Sequence, residues 1–494
     1  MGRDVASANI SGEDRRRYRE KVRSCLDVLA RMLGESQFDF RRPHIGLEIE
    51  LNLIDAVGDP LMRNADVLKA IADPAWATEL GQFNLEINIP PRELGGEGAG
   101  ELESEVRDHL LHADARAQEV GGRLAMIGIL PTLRRSDIGE ETLSANARYK
   151  MLNDQIFAAR GEEFRIDFDG PEPLHMYVDN ITPEAACTSV QFHLQVSPDQ
   201  FGAYWNAAQA IAGPQVATAG NSPFLFGHRL WHESRIRLFE KAIDTRPDEL
   251  KAQGVRPRVW FGERWITSVF DLFEENTRYF PALLPLCDDE DPRAVLDAGG
   301  VPQLGELALH NGTVYRWNRP IYAVFKGRPH LRVENRVLPA GPSAADVVAN
   351  GAFYYGLVRM LAEEDRAVWT RMSFNTAEEN LHRAARDGMD ATLYWPGMGN
   401  VPAAELVLRK LLPLAYEGLD RWGVDPARRD RLLGIIERRC VTGRTGSAWQ
   451  IETVREIERS SPGTSRHDAL RMMTRAYAAH MRGNEPVHTW PIGA

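Results

Sequence analysis

Four short segments of this 494-residue chain alternate apolar and polar residues with a period of two, and that pattern constrains the fold more than any other feature. In residues 44–54 (HIGLEIELNLI), Ile45, Leu47, Ile49, Leu51 and Leu53 alternate with Gly46, Glu48, Glu50 and Asn52. In 82–89 (QFNLEINI), Phe83, Leu85, Ile87 and Ile89 alternate with Asn84, Glu86 and Asn88. In 189–196 (SVQFHLQV), Val190, Phe192, Leu194 and Val196 alternate with Gln191, His193 and Gln195. In 330–338 (HLRVENRVL), Leu331, Val333 and Val337 alternate with Arg332, Glu334 and Arg336. Such alternation predicts strands with one buried face and one polar face. Because long helical stretches separate them, the predicted class is α+β, a sheet with helices on its apolar side.

The polar side is unusual in composition. Solvated strand faces favour Lys, Thr and Ser, whereas these four segments contain no Lys and supply Glu, His, Asn, Gln and Arg. Same-face neighbours along a strand lie about 6.5–7 Å apart, so Glu48 and Glu50 can serve two adjacent cations or two sides of one cluster. Glu86, His193 and Glu334 can add ligands from other strands. Oxygen donors with at most one imidazole suit Mg²⁺ or Mn²⁺. Crowded carboxylates raise each other's pKa unless a cation neutralises them, which makes a metal the simplest explanation of the pattern. Arg332 and Arg336 beside Glu334 read either as a salt-bridged ladder or as an arrangement in which Arg336 faces a phosphate. A lone His on a half-buried strand is most often structural, so a ligand role for His193 depends on the strands being adjacent.

Composition narrows the function. A hydrophobic content of 43% supports a sizeable core, and 70 Asp+Glu against 59 Lys+Arg gives a net charge of −11, which argues against a sequence-independent nucleic-acid binder. Cys25, Cys187, Cys287 and Cys440 are widely spaced with no C-x-x-C, so neither a zinc ribbon nor a disulfide scaffold is indicated. Cys187 reads as a buried small hydrophobe. With no apolar signal region at the N-terminus and no membrane-length apolar run, the expectation is a soluble cytoplasmic protein. No G-x-x-x-x-G-K-[ST] occurs, so a nucleotide would have to be held by the acidic sheet rather than by a P-loop.

Residues 12–34 read as an amphipathic helix capped by Ser11 with Asp14, and 101–120, 201–213 and 344–363 read as helices. Residues 364–482 are dominated by helical periodicity. The predicted organisation is an N-terminal helix and tail (1–40), a catalytic domain (41–365) and a helical C-terminal region packed on it (366–494).

Several motifs, in order, carry a family resemblance: GLEIEL (46–51), the pair Glu79 and Glu86, VQFHLQV (190–196), NSPF (221–224) with SRIRLFE (234–240), and HLRVENRVLPAGP (330–342). Over roughly residues 40–365 they resemble the glutamate–cysteine ligase type 2 family of carboxylate–amine ligases. The resemblance implies a glutamine-synthetase-like fold, in which a curved antiparallel sheet forms an active-site funnel. It implies use of ATP and Mg²⁺ to turn a carboxylate into an acyl phosphate that an amine attacks. It places Glu48, Glu50, Glu79, Glu86, His193 and Glu334 as metal ligands, with His193 and Arg332 also near the nucleotide. Arg336 looks like the phosphate-facing arginine that acts with Glu334, and Arg235, Asn221 and Arg148 resemble substrate contacts. Asn221 reads equally as part of a turn.

The simplest substrates implied are glutamate and cysteine, though nothing in the sequence marks a cysteine pocket. A metal-dependent phosphohydrolase and a non-catalytic, regulatory ligase-like binding protein are the competing readings. No nucleic-acid or membrane partner is expected, and a homo-oligomer stays open.

Overall fold

The computed structural model describes residues 10–35, 38–40 and 43–493. Seven strands form one sheet: β1 (His44–Ile54), β2 (Trp76–Thr78), β3 (Asn84–Glu93), β4 (Arg123–Ala125), β5 (Ser189–Val196), β6 (Asn318–Phe325) and β7 (Arg328–Pro339). The order is β6–β7–β5–β1–β3–β2, with β4 on the far end of β1, and every pairing is antiparallel. The sheet curls into a half-barrel, giving the α+β architecture expected.

β1 and β5 begin and end where the alternation does, because their apolar rows are all core: Ile45, Leu47, Ile49, Leu51 and Leu53 are each at most 2% exposed. β6 is a strand that the sequence did not signal. Pro320 lies inside it, and proline cannot donate to a ladder, so the segment reads as a breaker; it is tolerated because β6 is the sheet edge. β7 carries a register shift between Asn335 and Leu338 that puts the consecutive Val337 and Leu338 both in the core. Bulges of this kind re-aim a side chain, and here the residue in the bulge is Arg336.

Helices cover the apolar face. Those used below are α1 (Gly12–Glu35), α2 (Ala147–Arg160), α3 (Ser234–Ala242), α4 (Ala344–Ala362), α5 (Leu412–Arg421), α6 (Pro426–Thr442) and α7 (Arg466–Gly483). Ser11 and Asp14 cap α1 reciprocally, as expected. The chain leaves β7 through Gly341, whose φ of +88° favours glycine and where a Cβ would collide with the Met126 carbonyl. Ser343 and Asp346 then form the capping box of α4.

α4 is the hub. It is apolar nearly all round, the signature of a helix enclosed on every side. Tyr354 stacks on Phe192 of β5 with centroids 6.2 Å apart, and Tyr355 donates to the carbonyls of Gly46 and His193 at 3.3 and 3.2 Å. Its other flank is closed by α5 and α6, where Arg439 pairs with Asp346 at 2.7 Å and donates to Asn350 at 2.7 Å.

The C-terminal stretch is not wholly helical. Thr392–Trp395 and Gly399–Pro402 form a hairpin, each arm four residues long, too short for a period to show. Among the described residues, no helix is long and apolar enough to cross a membrane.

Candidate active site

The register of the sheet gathers the acids into two trios. On one, His193 of β5 lies opposite Glu334 of β7 and opposite Gly46 of β1, two residues before Glu48 on the same face. His193 Nε2 is 3.1 Å from Glu48 Oε1 and 3.9 Å from Glu334 Oε1. On the other, Glu50 of β1 is the direct cross-strand partner of Glu86 in β3, and Glu79 joins them from just past β2. Within each trio one donor atom per residue lies within 4.8 Å of the others; among the described residues these are the groups so placed.

The trios differ electrostatically. In the first, burial disfavours charge on Glu48, but the His193 ring wins and holds the carboxyl down at about 2. Burial likewise opposes charge on Glu334, and Arg319 and Arg336 overcome it, taking the group far below the ordinary range. Arg319 grips both Glu334 oxygens, one of them at 2.9 Å. In the second trio no cation outweighs burial. Burial and then the mutual repulsion of neighbouring acids push Glu79 well up, and Glu86 rises to about 7 through burial and the charges of Glu48 and Glu50. Glu50 is also raised by burial, although Arg336 and the Ser189 N–H offset part of it. Three carboxyls held this close with elevated pKa values lack a positive charge.

Donor chemistry fits divalent magnesium or manganese: five carboxylates and one imidazole. One further observation supports the fit. His193 Nε2 is buried without a hydrogen-bond partner, since Glu48 lies near it but off the N–H line. Arg332 Nε lies 3.1 Å from His193 Nδ1, so ligation through Nε2 requires the ring proton on Nδ1 and Arg332 turned away from it.

The second trio, and Glu48 of the first, open on a cavity of about 430 Å³. Glu48, Glu50, Glu79 and Glu86 form one wall; Arg319, Arg336, Arg235 and Arg148 stand around it. His193, Glu334 and Arg332 are not themselves in the wall and act on it through Glu48, Arg319 and Arg336. Arg336 Nη1 donates to Gln191 and, at 3.3 Å, to Glu334 Oε1. Gln191 in turn donates to Glu50 Oε1 at 2.8 Å, so one side chain ties Arg336 to the second trio.

The proposed substrate contacts separate. Arg235, in the first turn of α3, is 2% exposed, bonded to Glu233 at 2.9 Å and to the Val337 carbonyl, with its guanidinium over Trp317. Arg148, at the start of α2, reaches the cavity and makes no side-chain hydrogen bond or ion pair among the described residues. Asn221 is not brought to the cavity. It is fully buried, donates to the Ala340 carbonyl at 2.6 Å and Tyr477 Oη at 2.7 Å, and accepts from Gln450 at 2.8 Å. Its amide satisfies buried polar groups, the role the turn reading left open. Cys187 differs too: it is half-buried in the cavity wall, and burial pushes its thiol well up. Sequence reasoning missed Arg319, which sits on the unrecognised edge strand, and Glu184, which lies in a short turn (Thr182–Ala186) that no periodicity marks.

The model of glutamate-cysteine ligase family 2 matches residues 44–476. No curated protein matches the chain by sequence. Among solved structures, a glutamate–cysteine ligase from Francisella tularensis in complex with AMP superposes with a TM-score of 0.57 at 13% identity, covering 91% of each chain. A bifunctional glutathione synthetase from Pasteurella multocida is more distant, with a TM-score of 0.45 at 13% identity over 93% of this chain and 55% of that one. The first of these likenesses concerns the fold, while the family match spans both acidic trios and the arginines around them: the chain belongs to glutamate-cysteine ligase family 2 and is a ligase of the carboxylate–amine class.

Proposed function

We propose that this ligase uses ATP and Mg²⁺ to activate a small-molecule carboxylate as an acyl phosphate and joins it to an amine, the simplest pair being glutamate and cysteine. The observation that carries the reading is the placement of Arg336 between two acidic trios beside one cavity. Mg²⁺, with Mn²⁺ as the alternative, would be held by Glu48, His193 and Glu334 and by Glu50, Glu79 and Glu86, and would supply charge neutralisation for the phosphates of ATP. Arg336 is fixed by Gln191 and Glu334 and stays firmly charged, because its acidic neighbours outweigh burial. It is set to stabilise charge on the phosphoryl group as the donor carboxylate attacks it and ADP departs.

Arg148, with no partner of its own among the described residues, suits recognition of a substrate carboxylate, whereas Arg235 is already engaged and lines the cavity. The cavity walls limit water around the acyl phosphate, which favours the amine over hydrolysis. Incubating purified protein with ATP, Mg²⁺ and amino-acid pairs, with ADP release and product mass as readouts, tests the proposal. Amide product formed with stoichiometric ADP supports it. Phosphate release independent of any amine would instead identify a phosphohydrolase, and absence of ATP binding would identify a non-catalytic relative.

A further inference from the structure

The acids of the cavity have protein partners, with one exception. Glu50 accepts from Ser189 N and Gln191, Glu86 from Asn88, and Glu79 from Leu80 N. Glu184 lines the same cavity, belongs to neither trio, and neither of its carboxylate oxygens meets a donor among the described residues. Oε2 is buried without a partner. Leaving a carboxylate desolvated and unpaired is costly unless a ligand completes it. The turn that holds Glu184 runs directly into β5, whose Ser189 and Gln191 wall the cavity and whose Gln191 anchors Arg336. Glu184 and Arg336 thus line one cavity, with the anchor of Arg336 seven residues along the chain from Glu184.

We propose that Glu184 receives the incoming amine, its carboxylate accepting a hydrogen bond from the amino group and taking the proton that this nitrogen sheds. The inference rests on the ligase reading above and adds the residue that handles the second substrate. In the step, Glu184 takes one proton from the ammonium of the incoming amine, freeing the nitrogen lone pair that forms the C–N bond to the acyl carbon. The bond from that carbon to the phosphate oxygen breaks, and phosphate leaves with the electron pair and the second nitrogen proton. Burial pushes this carboxyl up to about 8, with Arg336 lowering and Glu50 raising it, which suits a group that exchanges a proton near neutrality.

Three rates separate this role from the rest of the site: isotopic scrambling of the β-phosphate oxygens of ATP with the carboxylate donor alone, amide formation with the amine, and hydroxamate formation with hydroxylamine, a nucleophile uncharged at neutral pH. Glu184→Gln should leave scrambling and hydroxamate formation at the parent level and slow amide formation about 10²-fold or more. Glu184→Asp, which keeps a carboxylate, should fall between parent and Gln variant. Equal loss of all three rates, or a full amide rate in Glu184→Gln, would overturn the assignment. If the parent protein itself shows neither scrambling nor amide, the ligase reading fails, and this inference fails with it.

Discussion

Arg319 and Glu334 face each other across the edge pair of the sheet, and the guanidinium holds both carboxylate oxygens while Glu334 is only 1% exposed. The pairing lets a buried acid stay ionised where burial alone would neutralise it. Arg319→Ala leaves that charge with Arg336 alone on one oxygen, at 3.3 Å, and should destabilise the metal-free protein by about 2 kcal/mol in denaturant unfolding. Arg319→Lys, with a point charge in place of a fork, should recover part of the loss.

Metal stoichiometry should report the two trios separately. Titrating Mn²⁺ into the parent should show two classes of site. Glu334→Gln should remove one and Glu86→Gln the other, and either change should abolish turnover while the far-UV spectrum stays native. A single site lost in both variants would show that the six side chains act as one cluster.

The second trio makes stability depend on pH. Folding lifts the Glu86 carboxyl from 4.5 to about 7, so between those values the folded state binds more protons than the unfolded state. Stability of the metal-free protein must therefore fall as pH rises through this window, by on the order of 3 kcal/mol at most from this group. Mg²⁺ should counter the fall, so the rise in Tm on adding Mg²⁺ should be larger at pH 8 than at pH 5. Glu86→Gln should flatten the profile of the metal-free protein. An unchanged profile in that variant would remove Glu86 as its source.

Asn221 tests how far a motif can be trusted. Its amide stitches the end of β7 to α7 through Ala340 and Tyr477. Asn221→Ala should cost about 2 kcal/mol of stability, from stranded buried polar groups, and leave the substrate KM near the parent value. A large KM change at unchanged Tm would return it to the substrate site.

The strands that build the trios were legible because period two is imposed by the pleat itself: β1 and β5 coincide with their alternating segments. What the alternation could not reveal was register. Which acid meets which depends on Glu50 lying opposite Glu86 and His193 opposite Glu334, and so the six ligand candidates did not divide into two sets until the strands were paired. Arg319 stayed hidden because Pro320 makes an edge strand look like a breaker. Glu184 stayed hidden because a single turn has no period to read. NSPF misled about Asn221, since a polar side chain in a motif satisfies a distant carbonyl as readily as a ligand.

The enclosure of α4 has a consequence for how the molecule is made. Its sheet-facing flank is translated before residue 365, but the shield for its opposite flank comes from α5 and α6, which leave the ribosome only later. A nascent chain stopped short of them would display a greasy rod with nowhere to dock. Shortened versions trimmed to the sheet alone should aggregate, and any attempt to borrow this half-barrel as a portable scaffold must carry the last quarter of the polypeptide along with it.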